Sequence, residues 1–403
     1  MKNKDNKFNV LIINDYDYVQ GGASKVAIDT ANLLVENYSN VNVYFFSGCH
    51  NESCNLDNKV IKICTNQQEA IKDNNKIRGI INGIYNFKAK KELNMLLKEL
   101  PKSNTIIHIH GWTKCLSTSI FHIIFKMRYK VVLTMHDYFT ACPNGGYYNY
   151  KKDKICIYKP MSLKCIFCNC DSRNYIIKIY RILRQFVQNK IVKLNDNIEN
   201  VIAISDFSKQ ILKKTLNKKT KIYQINNPID ISKDNFKVDI TKNKYFLYVG
   251  RISKEKGVDI FCDSITELNL DGIVVGDGEE RDKLEKQYPE IKFVGWKSNN
   301  EVKEYMKNAK ALIFPSKLYE GAPLTTKEAL SLGIPCIVSD NCAAKDDILN
   351  NNGLLFNIEK KDLSKKIFEF IKNEIKYTKI KFDINDNYVN DIYKCYDEII
   401  NKK

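Results

Sequence analysis

Strand-length apolar runs alternate with helical periodicity along most of the chain. Residues 8–14 (FNVLIIN) read as a first buried strand, and Val26, Ala27, Thr30, Ala31 and Leu34 then keep helical spacing over about residues 24–37. Runs of similar length recur at 41–46, 60–64, 105–109, 130–135, 200–204 and 221–225, and again at 245–249, 271–275, 292–294, 311–314, 336–339 and 353–356. Helical patterns fall at 87–100, 175–194, 301–307, 324–332 and 386–400. This rhythm predicts an α/β chain with parallel sheets. In the long pattern 175–194, Lys178, Arg181, Arg184, Lys190 and Lys193 punctuate apolar residues. The expectation there is a buried apolar face and a solvated charged one, with a surface helix on an anionic membrane as the alternative.

The segment 311–340 reads as strand, loop, helix, strand. Such βαβ units bind ligands at the strand-to-helix loop. The first helical turn offers backbone N–H groups, from Leu324 and Thr325 onward, that suit a phosphate. Glu320 on the loop and Glu328 on the helix repel a phosphate and suit sugar hydroxyls instead. Other strand ends carry similar chemistry. Gly21 and Gly22 follow the first run and permit close backbone approach. Gly250 and Arg251 follow the run 245–249, with Lys256 shortly after, so two cations stand beside a glycine loop. His108 and His110 share one side of the run 105–109, and His110 lies nearer its carboxyl end, where functional groups collect in parallel sheets. His136 and Asp137 end the run 130–135. His50, His108 and His122 are read as structural.

Glu320-Gly321 followed by Glu328-Ala329 resembles the E-x7-E signature of the family 4 glycosyltransferases. The segments around Gly21-Gly22, His110, His136-Asp137, Arg251/Lys256 and Gly276-Asp277 are similar to further motifs of that family. The resemblance covers nearly the whole chain and implies the GT-B fold, two Rossmann-like domains facing each other across a cleft. It implies an acceptor domain over residues 1–230 with a cysteine-rich insertion at about 141–172. A nucleotide-sugar domain follows over 231–383, and a helix in 384–403 crosses back to the first domain. The implied reaction is retaining, metal-independent transfer of a hexose-type sugar from a UDP- or GDP-linked donor to a saccharide or lipid-linked saccharide, in surface polysaccharide synthesis. Arg251 and Lys256 would hold the departing diphosphate, Glu320 sugar hydroxyls, and Glu328 the ribose. His110 would position donor or acceptor. Gly21, Gly22, His136, Gly250, Gly276, Gly321, Leu324 and Thr325 would line the donor site, and Gly295 and Trp296 would border the base. A GT-B nucleotide-sugar epimerase is the alternative within the same fold.

Composition adds two points. The net charge of +17 favours an anionic partner, and a non-catalytic nucleic-acid-binding protein is the reading from another class. No nucleic-acid module is recognisable, so nucleic acid is not expected as a partner. The start MKNKDNKFNV lacks the apolar core of a signal peptide, and no apolar run approaches the ~20 residues that span a bilayer. A cytoplasmic location, with peripheral contact to an anionic membrane, is expected. In that compartment the thirteen cysteines are expected to stay reduced. Cys142, Cys156, Cys165, Cys168 and Cys170 cluster in a loop-like stretch, where the close pair is Cys165 with Cys168 or with Cys170. Four thiolates would give a structural zinc, with unliganded thiols as the alternative. Cys165, Cys170 and the following Asp-Ser-Arg-Asn-Tyr are similar to a subset of bacterial polysaccharide glycosyltransferases, and with Cys142 and Cys156 they form the expected ligand set.

Overall fold

The computed structural model describes residues 7–229, 238–349, 351–358, 362–377 and 387–402. The expected boundary at residue 230 and the expected start of the last segment at 384 fall outside these residues. The first parallel sheet is built from β1 (Phe8–Tyr16), β2 (Val41–Cys49), β3 (Ile61–Cys64), β4 (Thr105–Ile109) and β5 (Lys130–Met135). A small antiparallel hairpin, β6 (Tyr148–Asn149) and β7 (Lys154–Ile155), interrupts the series before β8 (Asn200–Ala203) and β9 (Lys221–Gln224). The sheet order is β3-β2-β1-β4-β5-β8-β9. All nine residues of β1 are buried, as a central strand covered on both faces requires.

The second parallel sheet comprises β10 (Tyr245–Val249), β11 (Asp271–Val275), β12 (Lys292–Phe293), β13 (Ala309–Phe314), β14 (Cys336–Ser339) and β15 (Gly353–Phe356). Its order is β12-β11-β10-β13-β14-β15. Strand order reverses between β1 and β4 in one sheet and between β10 and β13 in the other. The loops leaving those four strands therefore diverge and leave a crevice at the carboxyl ends. The architecture is α/β GT-B, as expected. The helix Tyr388–Asn401 buries Tyr388, Ile392, Cys395, Tyr396 and Ile399 in the core of the first sheet, beside Val10, Ile12 and Ile106.

Three expectations change. The pattern 175–194 is an α-helix only over Tyr175–Phe186, followed by a π-helical turn at Val187–Val192. Its facing is also reversed. Lys178, Arg184 and Gln185 are buried, whereas Ile176, Ile179, Leu183 and Phe186 are exposed. Buried acceptors explain the inversion: Arg181 pairs with Asp171 at 3.1 Å, and Gln185 donates to the Thr140 carbonyl at 3.3 Å. Cys49 and Cys115 form a disulfide, so the cysteines are not all reduced. The zinc set Cys142, Cys156, Cys165 and Cys170 does not fit a metal. Among the described residues no three His, Cys, Asp or Glu side chains are placed to hold one. A buried cation sits there instead, with the Lys178 Nζ 3.8 Å from the Cys165 sulfur. Burial alone would lower the lysine's pKa, but negative charge on the sulfurs of Cys170, Cys165 and Cys142 opposes burial and holds it above the usual value.

Candidate active site

The crevice between the two sheets is a cleft of about 360 Å³. From the first domain it is lined by Val19, Gly21, Gly22 and Lys25. From the second it is lined by Tyr248, Val249, Gly250, Lys256, Asn299, Phe314, Glu320, Ala322, Pro323, Leu324, Thr325 and Glu328. Eight of the residues assigned from sequence thus meet in one place: Gly21, Gly22, Gly250, Lys256, Glu320, Leu324, Thr325 and Glu328. A larger hollow of about 790 Å³ lies at the opposite end of the first sheet, where Lys130 and Asn200 begin β5 and β8. Parallel sheets seat their ligands at the carboxyl ends, so the smaller cleft is the candidate.

Two helices open onto the cleft. Gly22–Asn37 starts from Gly21 and Leu324–Ser331 from Pro323, and no side chain among the described residues caps either one. Neither has an acid in its first turn, so both present N–H groups and positive dipole ends. Gly21 has φ 147°, a conformation open to glycine. A Cβ at Gly22 would lie 3.9 Å from Leu324 Cδ1, which measures how closely the domains approach.

Lys256 and Glu320 form an ion pair inside the cleft, and Ser316 Oγ donates to the same Glu320 oxygen at 2.9 Å. The Glu320 carbonyl accepts from Ala343 N at 2.8 Å, which fixes the loop after β13. Gly250 has φ 155°, and Tyr248 Oη donates to the Arg251 carbonyl at 2.8 Å, bracing the loop after β10. Burial pushes the Tyr248 hydroxyl well up, so it stays a donor.

The remaining assigned residues stand elsewhere. Arg251 pairs with the buried Glu255, its side chain is 58% exposed, and it does not line the cleft. Gly276 lies behind the wall, and a Cβ there would sit 1.9 Å from the Gly250 carbonyl oxygen. Gly321 is a domain contact. Its carbonyl accepts from Ser205 Oγ, and a Cβ would meet Ile204 Cδ1 at 3.3 Å.

His110 and His136 belong to a separate stack beneath the first-domain side. His108 Nδ1 pairs with Tyr396 Oη at 2.5 Å and its Nε2 with Thr134 Oγ1 at 2.6 Å. The His110 ring lies 4.0 Å from that of His108, and its Nδ1 is 3.0 Å from His136 Nε2. Burial drives all three pKa values down, that of His108 to about 3, that of His136 to about 4, and that of His110 well below the ordinary value. These are neutral rings near pH 7. Asp137, next in sequence, is pushed up to about 6 by burial, against the pull of Arg184 and Lys114.

Reading the sequence missed Lys25, Tyr248 and Asn299 in the lining. Lys25 carried a signal, since a cation in a helix's first turn opposes the dipole and needs a reason; here it pairs with Asp29 at 2.7 Å. Asp15 and Asp17, which spell a metal-like Asp-Tyr-Asp, serve structure. Asp15 accepts three backbone N–H groups from residues 114–116, and Asp17 pairs with His50 at 2.7 Å.

The sequence profile described as Glycosyltransferase Family 4 matches residues 20–233, and that described as Glycosyl transferases group 1 matches residues 230–383. An uncharacterized 42.6 kDa protein in the cps region of Klebsiella pneumoniae is 24% identical over 404 residues, covering 92% of this chain and 99% of that one. The UDP-Gal:alpha-D-GlcNAc-diphosphoundecaprenol alpha-1,3-galactosyltransferase of Escherichia coli is 34% identical over 120 residues, 25% of this chain and 30% of that one. Apart from the Klebsiella protein, the chain spans about half or less of the length of such curated relatives. Among solved structures, Anabaena HepE in complex with UDP and glucose shares the fold, with a TM-score of 0.61 at 15% identity over 92% of each chain. Two sheets with facing switch points, a cleft of cations, carboxylates and helix ends between them, and profiles spanning both halves lead to one assignment: this chain is a glycosyltransferase of family 4, with the GT-B fold, related to the enzymes of bacterial surface polysaccharide synthesis.

Proposed function

We propose that the chain transfers a hexosyl group, with retention, from a UDP- or GDP-linked donor to a saccharide carried on a lipid. The carrying observation is the Lys256–Glu320 pair set between an uncapped helix start and Glu328. A donor's diphosphate would take Lys256 and the first-turn N–H groups of Leu324–Ser331. Glu320, held by Ser316, would then turn its carboxylate to the sugar hydroxyls, and Glu328 would accept from the ribose. Negative charge grows on the diphosphate as the sugar leaves, and a fixed cation stabilises that charge more than the ground state. Arg251 would add a second cation by exchanging Glu255 for the phosphate. The buried, neutral His110 would steer the sugar or acceptor through hydrogen bonding. Support for the acceptor class comes from the Escherichia coli relative, whose name specifies a diphosphoundecaprenol-linked sugar, and support for UDP comes from the HepE complex.

Calorimetry with UDP and GDP tests the site. The expected result is saturable binding that Glu328→Ala weakens by about tenfold, as loss of hydrogen bonds to a charged acceptor predicts. Unchanged affinity in a folded Glu328→Ala protein removes the ribose assignment. Incubation with a nucleotide-sugar but no acceptor separates transfer from the epimerase reading, which converts the donor alone.

A further inference from the structure

The cysteine-rich stretch does more than fold on itself, because its hairpin reaches the second domain. A turn joins β6 to β7, and in it Asp153 has φ 52°, a left-handed conformation that Asp and Asn tolerate. Backbone bonds at two cysteines root this hairpin. The Cys170 carbonyl accepts from Tyr150 N at 3.2 Å, and Cys156 N donates to the Tyr147 carbonyl at 2.6 Å. Asn144 Nδ2 adds a bond to the same Cys170 carbonyl at 3.0 Å. Tyr148, fully buried, donates its hydroxyl to Asp153 Oδ1 and fixes the carboxylate. The other oxygen, Oδ2, then meets Lys317 Nζ at 3.1 Å.

Lys317 stands on the loop that leaves β13 and carries Glu320. Its side chain is 6% exposed, and its Nζ also holds Asp259 Oδ2 at 3.0 Å. Its backbone N–H donates to the Glu255 carbonyl at 2.9 Å. Glu255 is the partner of Arg251, and Glu320, three residues on, is the partner of Lys256. One buried cation, held from both domains, therefore adjoins both of the cation–carboxylate pairs assigned to the donor. Packing reinforces it. A Cβ at Gly146 would lie 3.7 Å from Leu318 Cδ2, and the rings of Tyr147 and Tyr319 are 6.5 Å apart. Exposed ion pairs hold little, whereas a cation stripped of its water is costly to leave half paired.

We infer that Asp153 is a positioning residue for the donor site: through Lys317 the hairpin braces the loop 316–321 and holds Glu320 and Lys256 ready for a nucleoside diphosphate. This role rests on the donor reading of the cleft. A loop ordered before its ligand arrives lowers the entropy cost of binding. Without the brace, Lys317 keeps Asp259 and the Glu255 carbonyl within its own domain, so the second domain still folds.

Hydrogen exchange of the full chain, beside calorimetry with UDP and GDP, tests the brace. Asp153→Asn keeps a residue suited to the turn and an acceptor for Tyr148, and removes only the charge facing Lys317. The amides of 316–321 are expected to exchange about fivefold faster, with the rest of the chain unchanged. Affinity for whichever nucleotide the native protein binds is expected to fall about fivefold. Asp271→Asn, exposed at the amino end of β11, is the control and keeps native values. Native loop exchange in Asp153→Asn overturns the brace and leaves the donor reading standing. Faster loop exchange with unchanged affinity overturns the positioning role, as does acceleration spread evenly over both domains, which reports lost stability instead. Failure of the native protein to bind either nucleotide removes the donor reading, and the positioning role with it.

Discussion

The two sides of the candidate cleft carry their charge differently. The second domain presents charges, each held by a partner: Lys256 by Glu320 and Arg251 by Glu255. The first domain presents Gly21, Gly22 and Lys25 at the cleft, and behind them a stack of neutral histidines. In the proposed reaction the contrast matches what each side would meet. A diphosphate needs cations fixed in advance, because reorganising charge during reaction raises the barrier. A hydroxyl acceptor needs polarity without a permanent charge, and burial keeps the imidazoles in that state.

The sharpest test removes the second domain's cation. Lys256→Ala is expected to lower turnover by about 10²- to 10³-fold while leaving the fold intact, since its loss resembles that of one charge-stabilising donor. Steady-state kinetics beside circular dichroism would check it, and a loss confined to KM would show that Lys256 binds without favouring the transition state. Next comes the scaffold of that charged side. Gly276→Ala places a methyl against the Gly250 carbonyl at 1.9 Å, and urea unfolding should register a loss of about 2–3 kcal/mol.

The neutral side is tested by pH. The histidines titrate near pH 6.5 when unfolded, and their folded values are lower. The unfolded chain therefore binds protons first. Stability from the stack is complete above about pH 6.5 and declines as pH falls toward 4. Urea midpoints across this range should show that decline, and His136→Gln should make it shallower by up to about 1.4 kcal/mol per pH unit. A slope unchanged by the substitution would mean that His136 is already charged in the folded protein. The smallest effect is expected at the tie between the sides. Lys317, buried, bridges Asp153 of the β6–β7 hairpin at 3.1 Å and Asp259 of the second domain at 3.0 Å. Lys317→Ala should cost about 1 kcal/mol, because both carboxylates keep access to water.

Much of the cleft was legible because its residues sit at strand ends that the apolar runs already mark. That framework places Glu320, Glu328, Lys256 and the Gly21-Gly22 pair, and the family resemblance singles them out. The places where reading failed share another cause. An amphipathic pattern says that the segment 175–194 has two faces, but not which one turns inward. Asp171 and the carbonyls of Thr140 and Pro143 decide that, and they approach from separate segments. Cysteine spacing likewise suggested four ligands around a metal, whereas Lys178, one turn along a helix, supplies the positive charge among them. Arg251 and Lys256 look equivalent in sequence, and their partners set them apart: Glu255 holds the first outside the cleft lining, and Glu320 holds the second within it. Each miss is a question of partner rather than of pattern.

The helix Tyr388–Asn401 has a consequence for how the molecule is made. Its Tyr396 closes the core of the first sheet and hydrogen-bonds His108. The second sheet, by contrast, draws all its strands from one uninterrupted stretch of sequence, Tyr245 to Phe356. During synthesis the amino-terminal lobe is translated first yet must wait for its missing helix, so the later lobe can reach its native state earlier. The usual order of vectorial folding, amino-terminal domain first, is inverted at its final step.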